Sequence, residues 1–217
     1  MSDTSNKYGY VGAENIPSQS FGNNAGIFSA NDIYDLTRED KWTNYGQLEL
    51  IETKTASSVS SVTFEDIKSD VYDTHFLTFH NFSPSVNQSD FRVRFFENGV
   101  EETSAVYDYA QQYQNDDGVG NGQSTTSSSY LRATGGVGDA THRIGNGCIY
   151  FYNLGDSAKY SFTNYHSNFT DQTNTFYSYP IGCGIMHQTS YVDQIKFFVN
   201  TGTFEAGLSL YGIKEYT

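Results

Sequence analysis

Cysteine is nearly absent: Cys148 and Cys183 are the only two in 217 residues. A disulfide framework needs more cysteines in a smaller domain, and a zinc site needs paired spacings such as C-x-x-C. Each cysteine lies beside glycine and close to an apolar strand residue, Ile149 or Ile185. The pair reads as two buried free thiols, with a disulfide between neighbouring strands left open. Basic residues are scarce as well, 12 Lys and Arg against 25 Asp and Glu, for a net charge of −13. Phosphate backbones and anionic membranes need cationic partners, so this balance argues against nucleic acid and against a membrane surface; its plainest role is solubility. No run of about 18 apolar residues occurs, so no membrane-spanning helix is expected. Met1–Lys7 lacks a basic segment followed by an apolar one, so the chain is expected to fold in a cytosol or leave it by another route.

Motifs of catalysis are missing too. There is no Gly-x-Ser-x-Gly elbow, phosphate loop, dinucleotide fingerprint or paired-histidine metalloprotease motif. His75 and His80 share one apparent strand but sit five apart, and therefore face opposite sides. His142, His166 and His187 are isolated among aromatic and polar residues. Asn115-Asp116-Asp117-Gly118 lacks the alternating carboxylates and later glutamate of a calcium loop, and reads as a solvated turn. No catalytic residue, metal or cofactor is nominated.

Aromatic residues are abundant: 18 Tyr and 16 Phe in a chain only 37% hydrophobic. Rings bury large areas and can build a core where Leu, Ile and Val are few. Most of them sit in alternating segments. Gln47–Glu52, Val59–Phe64, His75–Phe82, Phe91–Phe96, Cys148–Tyr152, Tyr160–Tyr165, Thr175–Tyr179, Gln194–Val199 and Leu208–Ile213 read as strands. In Phe91–Phe96 the arginines should face out between buried rings, and Asn98-Gly99 is a two-residue hairpin signal. Asn115–Gly122 reads as a loop, Thr125–Ser129 as a hydroxyl tract, and Gly135–Asp139 as a second loop within one long excursion. Roughly eight strands with regular turns predict an all-β, jelly-roll-like two-sheet sandwich over residues 46–217.

Residues 1–45 read differently, as an N-terminal arm and one short helix. Gly9, Gly12, Pro17 and Gly22 punctuate an extended segment whose rings would drop into pockets on the body or a neighbour. Ser29 is placed as an N-cap with Asp32 completing a capping-box-like pair, and Phe28 with Ile33 as the hydrophobic staple. The helix should not run far beyond Glu39, because Trp42–Gly46 reads as a turn. The assembly residues singled out are Tyr8, Tyr10, Ile16, Phe21, Phe28 and Trp42. A second set, Tyr107, Tyr109, Tyr113 and Tyr130 around the central excursion, could stack on sugar rings; filling the core or a subunit contact is the competing role for these rings.

Several short blocks carry a resemblance: Lys7–Gly12, Ile16–Ser20, Gly26–Ser29, Ile33–Leu36 with Trp42 behind it, and the closing Leu208–Lys214. Together these blocks, about a quarter of the chain, resemble structural proteins of tailed bacteriophages, in particular cyanophage-like ones. The resemblance implies a virion component made in the host cytoplasm: a tail fibre or appendage subunit, or a capsid-decorating (head fibre or cement) protein. It implies no cofactor and no catalysis, other virion proteins as partners, a homo-oligomer with a trimer favoured, and a host surface glycan as a further partner. The chain departs from long fibres in having no repetitive shaft, so it would be a compact tip, adaptor or decoration module. A free carbohydrate-binding module is the competing class, and a glycosidase ranks last.

Overall fold

The computed structural model describes residues 30–38, 47–171 and 176–214. The chain divides into two units, Met1–Gln47 and Leu48–Thr217. In the first, helix α1 spans Ala30–Arg38. It starts immediately after the expected cap position and stops just short of Glu39. Arg38, in the last turn where the helix end is electronegative, lies 3.6 Å from the Asp35 carboxylate. Ser29 itself, the Phe28 staple, the arm and the Trp42 turn lie outside the described residues.

The second unit is β-structure in two antiparallel sheets. Its first strand, β1 (Leu48–Val59), pairs with its last, β13 (Phe204–Ile213); β2 (Ser61–Phe64) pairs with β12 (Val192–Phe198). β13 continues to β3 (Thr74–Pro84) and then β9 (Gly145–Tyr152). β12 continues to β4 (Arg92–Glu97), whose free edge takes β5 (Val100–Glu101) and β8 (Leu131–Arg132). This nested order, early strands paired with late ones in both sheets, is that of a jelly roll. With β5 and β8 sharing one position, the frame has eight strand positions. They are not the set read from the sequence, which includes the segments at 160–165 and 175–179 and lacks β5 and β8.

Two hairpins are added to that frame. β6 (Tyr107–Asn115) with β7 (Gly120–Ser128), and β10 (Tyr160–Thr170) with β11 (Tyr177–Thr189), extend the large sheet to the order β1-β13-β3-β9-β10-β11-β6-β7. The reading of Asn115–Gly122 as a loop is thereby corrected: only 116–119 connect strands, and Thr125–Ser128 belongs to β7. β7 gave no signal because it is an exposed edge strand of Ser, Thr, Gly and amides, with no buried face to impose alternation. Gly135–Asp139 does connect as a loop, pinned by the fully buried Val137, which bridges to Ser89.

The core is built of rings. Phe91 sits at its centre, with ring centroids 4.5 Å from Phe82, 5.2 Å from Phe79, 5.3 Å from Phe197 and 5.4 Å from Phe204. Each buried Phe side chain contributes about 1.5–3 kcal/mol of transfer free energy, which offsets the scarcity of aliphatic residues. On β4, Val93 and Phe95 are buried while Arg92 and Arg94 point outward, as the alternation predicts. The next two residues close the β4–β5 hairpin with Asn98 at φ 51° and Gly99 at φ 76°. Positive φ at both positions is the type I′ turn, whose twist matches the strands it joins.

Candidate functional site

The large sheet turns one face to the core and one away from it, and the second face has an unusual composition. Its four central strands, β3, β9, β10 and β11, contain no Asp, Glu, Lys or Arg at any position. In a chain where 17% of residues are charged, that leaves a broad uncharged area. The register lines its side chains into rows across the sheet. One row runs Leu50–Tyr211–Phe76–Tyr150–Asn164–Cys183–Ala110–Ser124 from β1 to β7. The adjacent row runs Leu48–Ile213–Thr74–Tyr152–Phe162–Ile185–Asp108.

The rings in these rows touch. Phe76 lies 4.7 Å from Tyr150 and 6.3 Å from Tyr211, and Tyr150 stacks on Tyr152 at 6.3 Å. The face is nevertheless open to solvent: within these rows Leu50 is 59% exposed, Phe162 42% and Tyr150 37%, and Ile181 farther along β11 is 46% exposed. Beside Phe162 and Ile185 the small side chain of Ala110 leaves a shallow depression of about 350 Å³ that reaches Thr125. The nearest charges are at its margin, where Asp108 accepts from the Ser127 N–H at 2.7 Å and lies 3.0 Å from His187 Nδ1. Contiguous apolar surface depleted of charge and rich in Tyr and Phe is the composition of the buried centre of protein interfaces.

The tyrosines singled out from the sequence divide. Tyr107 is fully buried; its hydroxyl donates to the Glu102 carbonyl at 3.1 Å and accepts from the Phe95 N–H at 3.1 Å. Burial also raises its pKa well above the ordinary phenol value, making it a weaker acid. Tyr109 is buried as well. Neither can offer a ring face to a sugar, so a glycan role for these two is corrected to a core role: they are inward positions of β6, packed under the sheet. Tyr130 is half-buried, and its ring is covered by the Arg92 guanidinium at 4.0 Å. Tyr113, farther along the same inward row, reaches the wall of an open pocket of about 240 Å³ beneath β6, β7 and β11. Tyr8, Tyr10, Ile16, Phe21, Phe28 and Trp42 lie outside the described residues.

Both cysteines are free, which removes the disulfide. Cys148 is half-buried and Cys183 exposed, so the expectation of two buried thiols is corrected. They stand on β9 and β11 with β10 between them, where outward positions look onto the uncharged face. His75 is the buried histidine: its Nε2 lies 2.8 Å from the Ile67 carbonyl, and burial lowers its pKa below 6.5. His80, on the other side of the same strand, is exposed. Among the described residues, no three His, Cys, Asp or Glu side chains gather as a metal site.

Phe76, Tyr150, Phe162, Ile181 and Leu50 were not singled out from the sequence. Their signal was available only as an absence, three stretches without charge at 74–84, 145–152 and 160–170 and a fourth at 177–189. No family model matches the chain, and no curated protein matches it in sequence.

Proposed function

We propose that this chain is a non-enzymatic structural subunit of a bacteriophage particle, a compact tail fibre or appendage module that assembles with further copies of itself. The observation that carries the assembly reading is the uncharged aromatic face of the large sheet. Every copy carries −13, so two copies repel wherever their charged surfaces meet. The face lacking Asp, Glu, Lys and Arg on its central strands is where a like-charged copy can approach at least cost, and its rings supply apolar area to bury. The occupant is therefore a second copy of this chain. The depression beside Phe162 and Ile185 is a socket for one of its rings, and the arm residues Tyr8, Tyr10 and Phe21 are the candidates to fill it.

The particle assignment draws on the resemblance of the N-terminal blocks and the closing strand to phage structural proteins, and on a fold type common in viral capsid and lectin domains. No residue is assigned a catalytic role. The test is gold labelling of intact phage particles with antibodies raised against this chain. Label at the tail supports the appendage role. Label over the head instead makes the chain a capsid decoration protein, and the absence of label from any particle removes the virion reading.

A further inference from the structure

The geometry points to a second site, on the opposite side of the large sheet, that binds a neutral sugar in the pocket beneath β6, β7 and β11. This inference does not depend on the virion reading or on self-assembly.

The pocket follows from how one inward row of the sheet changes character along its length. From β13 the row runs Leu210–Leu77–Ile149–Tyr165–Gly182–Gln111–Gln123. It starts in the apolar core and ends in amides. Gly182 is the hinge of that change: a side chain there would collide with the Tyr165 ring, since a Cβ would lie 2.3 Å from it. With no side chain in the way, the Tyr165 hydroxyl crosses to donate to Gln111 Oε1 at 2.6 Å. Gln111 Nε2 then donates to Gln123 Oε1 at 3.0 Å, and that same oxygen accepts from Arg132. Arg132 is held in turn by the Asp90 carboxylate. Gln111 is almost completely buried, so the floor of the pocket is a fixed chain of hydrogen bonds, not a set of loose surface side chains.

What this floor presents is suited to hydroxyls. The next rows place Tyr113 opposite Asn121, and Asn115 opposite Ser178, with the Ser178 hydroxyl donating to Asn115 Oδ1 at 2.6 Å. With those acceptors occupied, Gln123 Nε2, Asn115 Nδ2, the Asn121 amide and the Tyr113 hydroxyl have no hydrogen bond to a described residue. All four groups line one pocket. Amides and phenols donate and accept at short range, as sugar hydroxyls do. The half-buried rings of Tyr113 and Phe176 supply apolar wall for the C–H face of a pyranose.

Charge selects against acidic ligands. Arg132 is already paired with Asp90, Asp171 also lines the pocket, and the whole chain repels anions. The volume, about 240 Å³, is below the range of about 300–1,000 Å³ typical of drug-sized ligands, and suits a single ring at the end or side of a glycan.

The test is saturation-transfer NMR on the full chain with glucose, galactose, mannose and N-acetylglucosamine, and with glucuronic acid as the acidic counterpart. At least one neutral sugar should receive saturation, with Kd on the order of 1 mM. Gln123→Ala and Asn121→Ala, both on the exposed hairpin strand, should each weaken it about tenfold or more. Asn121→Ala should leave the thermal midpoint unchanged, whereas Gln123→Ala, which also takes the acceptor from Gln111 and Arg132, should lower it. Binding by none of the neutral sugars overturns the inference. So does stronger binding of glucuronic acid than of every neutral sugar, or neutral-sugar binding indifferent to both substitutions.

Discussion

On the small sheet, charges meet and cancel. Glu101 accepts from Arg94 at 2.9 Å and from Lys196 at 2.7 Å, while Asp90 holds both Arg92 and Arg132. The guanidinium of Arg94 lies 4.6 Å over Phe198 and that of Arg92 4.0 Å over Tyr130, so even the outward rings are covered by cations. On the central strands of the large sheet, the outward rings have no charged neighbour on their own strands and remain partly open. The same alternation built both sheets over one core. What separates them is whether a face completes its interactions within the chain. The small sheet completes its interactions within the chain, and the large sheet leaves a face that we propose a second copy completes.

The comparison can be broken from below by removing what the two faces share. Phe91→Ala deletes the ring that touches four other phenylalanines and should cost about 3–5 kcal/mol in urea unfolding, weakening fold and assembly together. Charge placed on the large sheet should separate them. Phe76→Glu with Tyr150→Glu should reduce self-association at least about a hundredfold, or about 2.7 kcal/mol. The double variant should unfold within about 1 kcal/mol of the parent, because both side chains are partly solvated already. Glu101→Gln inverts the pattern. It leaves Arg94 and Lys196 without their carboxylate and should lower stability by about 1–2 kcal/mol, with self-association measured by sedimentation unchanged.

The smallest effect concerns β3, which presents Phe76 outward and His75 inward. Burial holds the His75 imidazole below 6.5, only partly opposed by the Ile67 carbonyl and Asp73. The unfolded chain therefore takes up that proton first. Stability is full above 6.5 and falls as pH drops from 6.5 toward the folded-state value. His75→Gln keeps a donor for Ile67 but does not titrate. The drop in urea midpoint between about pH 7.5 and 5.5 should be shallower in the variant than in the parent.

Much of this architecture is readable from residues alone. The Asn98-Gly99 turn, the outward Arg92 and Arg94, and the opposed His75 and His80 follow from local chemistry with period two. The strand partners do not, because β1 meets β13 across more than a hundred intervening residues and nothing local encodes that choice. β10 shows a different obstacle. Phe162 faces out and Tyr165 faces in, so aromaticity marks both sides and the buried one cannot be told from it. The uncharged face was hidden for a related reason: its four strands lie apart in sequence and only the register assembles them. The pocket required one more piece, the missing side chain of Gly182, which matters only once Tyr165 is known to lie across from it.

The most direct measurement is sedimentation equilibrium of the full chain beside the Phe76→Glu, Tyr150→Glu variant at the same concentration. The account predicts a parent mass that is a multiple of 24.3 kDa, with three copies favoured, and a folded variant at the mass of one chain. A parent that sediments as a single chain, or a variant that keeps the parent's mass, would contradict it.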